Sequence, residues 1–231
     1  MLRKETIAAS TLELLKDLMQ DEHLKDFFLV GGTALSLLIG HRISIDIDLF
    51  SVNPFDENKL VAYLEQKKGW LLNYLDKNTV KGQINNVQVD LMTHGYPLVR
   101  NLEVIDDVRL AGIQDISAMK LNSIVGNGTR VKDFIDVAFL SSFLSLDEML
   151  DAYEKKYKAR NAIIVLKSLA FHQDLNQLEP IKLVEGNYSW KPIEQRIRRM
   201  LAAHDQIFEP MDVVLKQEQR NIIEKNPGRK P

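Results

Sequence analysis

Apolar residues change their period several times along this chain, and each change marks an element. Between Thr6 and Met19, Leu12, Leu15, Leu18 and Met19 recur at helical spacing, which predicts an amphipathic helix. The run Phe27-Phe28-Leu29-Val30 is short, apolar and stopped by Gly31-Gly32, the pattern of a buried strand entering a tight turn. Thr33 to Ile39 returns to helix, closed by Gly40. Then Ser44-Ile45-Asp46-Ile47-Asp48-Leu49 alternates, predicting a strand through Phe50. Its buried face would carry Ile45, Ile47 and Leu49, and its other face Ser44, Asp46 and Asp48.

Downstream, Pro54 and Asp56 start a helix that runs to about Lys67. A β-rich stretch from Trp70 to Met92 follows, with turns at Lys77-Asn78 and Asn85-Asn86 and a last strand Val87-Gln88-Val89-Asp90-Leu91. Val104 to Leu110 is a further strand candidate. From Asp115 onward the period is helical, with helices expected near 115–125, 131–143, 146–157, 161–172, 191–206 and 211–225, and a disordered tail from Asn226 to Pro231. The expected architecture is α/β: a mixed-sheet core over residues 1–112, then a helical domain over 113–231 that reaches back to the site.

Composition narrows the chemistry. With 231 residues and 45% hydrophobic content, the chain can bury a sizeable core. It has no cysteine, which removes disulfides, thiolate zinc sites and cysteine nucleophiles and suits a reducing cytoplasm. No basic and apolar leader opens the sequence, and no run is long enough to span a bilayer, so no membrane partner is expected. The net charge of -2 hides an asymmetry: residues 1–150 hold 15 Lys+Arg against 21 Asp+Glu, and residues 151–231 hold 15 against 11. A basic half is compatible with a bound polyanion. Lys155, Lys156, Lys158 and Arg160 form one basic cluster, and Arg196, Arg198 and Arg199 another. Each is either a solvated helix face or part of an RNA path.

Asp46 and Asp48, two apart on a strand, leave the same sheet face about 7 Å apart at the backbone. Two close carboxylates repel unless a cation sits between them. Oxygen-only ligands that leave room for phosphates suit Mg²⁺. A two-ion phosphoryl-transfer site calls for a third carboxylate across the sheet, and Asp90 is the candidate; an exposed strand-end aspartate is the alternative. Gly31-Gly32-Thr33, between a strand and a helix, can present unhindered amides to a polyphosphate. His41-Arg42 would either add positive charge beside it or form an exposed loop pair.

These residues resemble a known family. Gly31-Gly32-Thr33-Ala34-Leu35-Ser36-Leu37, Gly40-His41-Arg42 and Ser44-x-Asp46-x-Asp48-x-Phe50-Ser51 are similar to the first motif of AbiEii-type nucleotidyltransferases. Those are the toxins of type IV toxin-antitoxin systems, in the DNA polymerase β-like superfamily. The likeness continues through Asp90, Asp115-Ile116-x-Ala118-Met119-Lys120-Leu121 and Arg130-x-Lys132-Asp133-x-x-Asp136. It implies a polymerase β-like core, an NTP substrate, a two-ion Mg²⁺ site on Asp46, Asp48 and Asp90, and nucleotide contacts from Gly31, Gly32, Thr33, Arg42, Ser44 and Lys120. It further implies Lys120 on the triphosphate and Asp136 as an active-site base or acceptor orienter. An RNA 3′ end such as that of tRNA is the implied acceptor, with a cognate antitoxin as a possible partner. From the residues alone, Asp115 reads as the N-cap of the helix carrying Lys120, and Arg130, Asp133 and Asp136 could equally be a solvated ion-pair stripe. Two other functions compete: an antibiotic-type transferase with a small-molecule acceptor, and a non-catalytic nucleotide-binding module.

Overall fold

A computed structural model describes residues 1–158, 161–177, 180–186 and 188–211. The expected helix at 211–225, the tail from Asn226 and the cluster member Arg160 lie outside the described residues. The first helix, α1, spans Ala9–Gln20 and buries Leu14, Leu15, Leu18 and Met19. It begins later than the periodicity suggests, because Lys4–Thr6 forms a turn of 3-10 helix instead. Thr6 there closes on the Arg3 carbonyl.

Strand β1 (Phe28–Leu29) ends at Val30, helix α2 (Gly31–Ile39) starts at once, and Gly40 caps it in the left-handed region with φ 74°. Both glycines therefore belong to the first turn of α2. Strand β2 (Ile47–Ser51) alternates buried Ile47, Leu49 and Ser51 with half-buried Asp48 and Phe50. The expected register holds from Ile47 onward, but Ile45 is 69% exposed and Asp46 precedes the strand. Hydrogen bonds to distant parts of the chain explain the difference: Ile43 donates to the Lys182 carbonyl, Ser44 to the Thr6 carbonyl, and the Thr33 hydroxyl to the Asp46 carbonyl. They lift residues 43–46 away from the sheet.

Helix α3 (Glu57–Lys68) is capped by Asp56, whose carboxylate accepts from the Lys59 amide, and it ends at Gly69. Strands β3 (Leu71–Asp76), β4 (Thr79–Ile84) and β5 (Val87–Thr93) then form an antiparallel meander. Asn85 and Asn86 both take positive φ in the β4–β5 turn, the twist a two-residue hairpin needs. Residues 103–110 form two short strands, β6 (Glu103–Ile105) and β7 (Val108–Leu110), and not one. Asp106 and Asp107 turn between them with φ of 52° and 66°. The seven strands make one mixed sheet in the order β3-β4-β5-β2-β1-β7-β6, with β2–β5 and β1–β7 parallel.

Five helices follow: α4 (Ile113–Gly126), α5 (Val131–Leu140), α6 (Leu146–Lys156), α7 (Ala162–Ala170) and α8 (Trp190–Ala202). Helix α4 is the central pillar, touching α2 on the sheet side and α5, α6 and α7 on the other. Its buried Ile116, Ala118, Leu121 and Ile124 join the common core. The N-cap is Gly112, and Asp115 sits one turn further in, fully buried. Its carboxylate accepts from the Val99 and Arg100 amides and pairs with Lys156 of α6 at 2.7 Å. Asp115 thus ties the helical half to the loop before β6 and is not a cap. Among the described residues, no helix is long and apolar enough to cross a membrane.

Candidate active site

A cleft of about 580 Å³ opens where β2, β5 and the start of α2 face α4. The sheet supplies its floor. Because β2 and β5 are parallel with Asp48 opposite Asp90, and β4 pairs with β5 with Lys81 opposite Asp90, three strands set Lys81, Asp90 and Asp48 in one row. Asp46 joins from the loop just before β2.

The row ends at the glycines. The Val30 amide donates to the Asp48 carbonyl at 2.9 Å, which brings the start of α2 against β2. A Cβ on Gly31 would overlap the Asp48 carboxylate, and one on Gly32 would overlap the Arg42 guanidinium. Gly31 also has φ 70°. Glycine is required twice over at Gly31 and for space at Gly32. As first-turn residues, both carry amides without an intrahelical acceptor, and both line the cleft. Thr33 differs from expectation. It is buried, and its hydroxyl holds the Asp46 carbonyl and lies 2.8 Å from the Ser44 hydroxyl. It fastens the Asp46 loop, and Gly31, Gly32 and Ser44 line the cleft at this turn where Thr33 does not.

The opposite wall is a buried ionic network. Asp136 of α5 is 0% exposed and accepts from His41 Nε2 at 2.7 Å, Arg42 Nε at 2.7 Å and Arg42 Nη2 at 3.1 Å. Lys120 Nζ of α4 lies 2.7 Å from Asp136 and 2.8 Å from Asp133. Burial alone would raise the Asp136 carboxyl, but Arg42, Lys120 and His41 hold it well below the ordinary aspartate range. Burial likewise opposes charge on Lys120, and Asp136 with Asp133 outweigh it, so its pKa is raised. For His41 burial wins over Asp136, and its pKa is lowered. A carboxylate only accepts, so His41 Nε2 carries the proton.

This arrangement settles two open readings. Asp133 and Asp136 are not a solvated stripe, and His41-Arg42 is not an exposed loop pair; all are buried. Asp136 lies behind the cleft wall, whereas Lys120 and Arg42 line it. Three side chains, His41, Arg42 and Lys120, close on Asp136 with four donor atoms. It holds the two cations that do face the cleft.

The carboxylates fit a hard divalent cation by their donor chemistry. Among the described residues, no hydrogen bond or ion pair engages the side chains of Asp46 and Asp48. Burial, then the nearby Asp90 and Asp46 charges, raises the Asp48 pKa against the partial relief of Lys120 and Lys81. A cation is what such a group lacks. Asp90 is different: Lys81 Nζ is ion-paired to Oδ2, and Gln88 Nε2 donates to Oδ1 at 2.9 Å. Among the described residues, no three acidic or histidine side chains close into a ready metal cage. The expected third ligand is turned to a lysine.

Sequence reasoning missed Lys81, although its signal was present: a two-residue turn at Asn85-Asn86 fixes Lys81 opposite Asp90. It also missed Pro180, Ile181 and Lys182, which line the cleft mouth. That segment pairs with the loop after α2 through an Arg42–Leu183 bridge. No local pattern announces so distant a contact. Members of the two basic clusters differ in setting, with Lys155, Arg198 and Arg199 ion-paired at the surface and Lys156 and Arg196 buried. Lys156 is buried on Asp115 and Lys155 pairs with Asp151. Arg196 is 5% exposed and bonded to Ser141, while Arg198 pairs with Glu194 and Arg199 with Glu209.

The chain is similar to several known proteins. A family model described as nucleotidyl transferase AbiEii toxin, type IV TA system, matches residues 13–97, which include Gly31, Gly32, Asp46, Asp48 and Asp90. An uncharacterized protein of Aquifex aeolicus (strain VF5) is 32% identical over 182 residues, covering 75% of this chain and 85% of that protein. Among solved structures, JHP933 from Helicobacter pylori is similar at 16% identity and a TM-score of 0.47, covering 96% of this chain and 98% of its own. An antigenic nucleotidyltransferase-like protein from Paracoccidioides brasiliensis is similar at 16% identity and a TM-score of 0.43, over 96% of this chain and 91% of its own. The chain belongs to the AbiEii nucleotidyltransferase toxin family, and it is a transferase with the α/β fold of that group.

Proposed function

We propose that this nucleotidyltransferase moves an NMP from an NTP to the 3′ hydroxyl of an RNA, such as a tRNA, in the cytoplasm, as the toxin of a toxin-antitoxin pair. The observation that carries the reading is the juxtaposition of unpaired Asp46 and Asp48 with the Gly31-Gly32 amides on one side and Lys120 on the other. Gly31 and Gly32 receive phosphate oxygens at a helix N-terminus. Lys120 and Arg42, held rigid by Asp136, meet the triphosphate with charge-assisted hydrogen bonds. Asp46 and Asp48 would hold Mg²⁺, which neutralises charge developing on the phosphates; Asp90 completes the donor set for a second ion. The protein's own contribution is positioning, since no side chain forms a covalent intermediate in this scheme.

The acceptor enters at the mouth, where Lys132 and Lys182 line the cleft. Among the described residues of the helical half, Arg196, Arg198 and Arg199 are each paired with a glutamate, which offsets their charge. A small-molecule acceptor is the second reading, favoured by that same neutralisation. Incubating the protein with each α-labelled NTP, total RNA and Mg²⁺ separates the two. A labelled RNA band supports the proposal, and label confined to a small product supports the alternative. A cognate antitoxin is a proposed partner, tested by co-purification from the host.

A further inference from the structure

Lys81 stands on β4 directly across from Asp90 of β5, which is itself directly across from Asp48 of β2. Its ammonium is ion-paired to Asp90 Oδ2, and its side chain remains 36% exposed to the cleft. The row therefore reads cation, carboxylate, carboxylate, and ends against Gly31. A lysine stem on a strand edge of a cleft can swing, whereas the backbone fixes both carboxylates.

We infer that Lys81 is a placeholder cation: it holds Asp90 before a divalent ion arrives, yields Asp90 to that ion, and then turns to the phosphates of the nucleotide. This rests on the metal role assigned above to Asp46, Asp48 and Asp90. The physical argument is a competition for one carboxylate. Asp90 flanked by Asp48 needs a positive neighbour at all times, and Lys81 supplies it in the metal-free protein. A divalent ion at Asp90 and an ammonium on the same oxygen repel each other, so the lysine must leave. Lys81, like Lys120 and Arg42, lines the cleft, so its released ammonium adds a positive group beside the carboxylates Asp46, Asp48 and Asp90.

The arrangement couples metal and nucleotide. Removing the lysine charge should tighten metal binding to the nucleotide-free protein and weaken nucleotide binding, effects of opposite sign that a lysine serving only the fold would not produce. The test is titration of nucleotide-free protein with Mn²⁺, followed by electron paramagnetic resonance, for wild type, Lys81→Gln, Lys81→Met and Asp48→Asn. Lys81→Met preserves the stem against the sheet if Lys81→Gln folds poorly. The expected result is Mn²⁺ binding about fivefold tighter in both lysine variants, from loss of a competing ion pair, with NTP binding in Mn²⁺ weaker by a similar factor. Unchanged or weaker Mn²⁺ binding in both lysine variants would overturn the placeholder role. Asp48→Asn keeps the two readings apart: if it binds Mn²⁺ as wild type does, the metal assignment itself is wrong.

Discussion

Asp48 and Asp90 stand directly opposite each other on neighbouring parallel strands, and only Asp90 has a protein cation for a partner. The asymmetry dictates how each should respond to substitution. Asp48 carries the burden of burial and of two nearby carboxylates, so its pKa is raised. A raised carboxyl pKa stabilises the fold below the ordinary value of 3.8, and that contribution is lost as pH rises through the folded value.

Asp48→Asn should therefore raise the melting temperature of the metal-free protein at neutral pH, with the gain shrinking as pH falls into the carboxylate range. The same variant should lose nucleotidyl transfer by roughly a hundredfold or more, because charge neutralisation by a bound metal is worth several kcal/mol. Calorimetry across pH and an initial-rate assay check the two halves. A less stable or fully active variant would contradict the site.

Gly31→Ala should cost about 1–2 kcal/mol from left-handed backbone alone, and it should also displace the Asp48 carboxylate that the new methyl would meet. Gly32→Ala has no positive φ and should disturb only Arg42. Both should reduce NTP affinity and stability, Gly31→Ala through backbone strain and Asp48, Gly32→Ala through the buried Arg42–Asp136 pair, as chemical denaturation beside nucleotide titration would show.

Asp136→Asn leaves Arg42 and Lys120 buried without their shared counter-charge and should destabilise the protein by about 3–5 kcal/mol. The wild-type Asp136 pKa is depressed, so its stabilisation is present above 3.8 and is lost as pH falls toward the folded value. Acid unfolding followed by circular dichroism should show a steep loss in that window for wild type and a flatter curve for the variant.

Arg196→Ala should destabilise by about 1–3 kcal/mol, since it would remove a buried hydrogen bond to the Ser141 hydroxyl and empty space beside Phe208. Arg198→Ala should stay within about 0.5 kcal/mol. Neither Arg198→Ala nor Arg199→Ala should change the salt dependence of RNA binding, whereas Lys182→Glu at the cleft mouth should reduce that slope by about one contact. Binding measured across a salt series decides the point.

Much of this fold follows from patterns local in sequence. The alternation of Ile47-Asp48-Leu49, the Gly31-Gly32 break and the Asn85-Asn86 turn each impose their element through sterics that act within a few residues. Thr33, Ile45 and Asp115 were misplaced for one reason. Each lies in a segment placed by hydrogen bonds to residues outside its own element, from the Thr6 carbonyl to the Val99 amide. Charge clusters cannot be resolved from composition, because a helix such as α8 buries Arg196 while exposing Arg198 and composition counts them alike. Family likeness singles out Asp136, but its place behind the wall depends on how α5 meets α4 and the loop after α2.

The most direct test of the central claim compares α-labelled with γ-labelled NTP, incubated with total RNA and Mg²⁺, using wild type and Asp48→Asn. The account predicts label on an RNA 3′ end only from the α position, only with wild type and only when Mg²⁺ is present. Label on RNA from the γ position, or equal α labelling by Asp48→Asn, would contradict it.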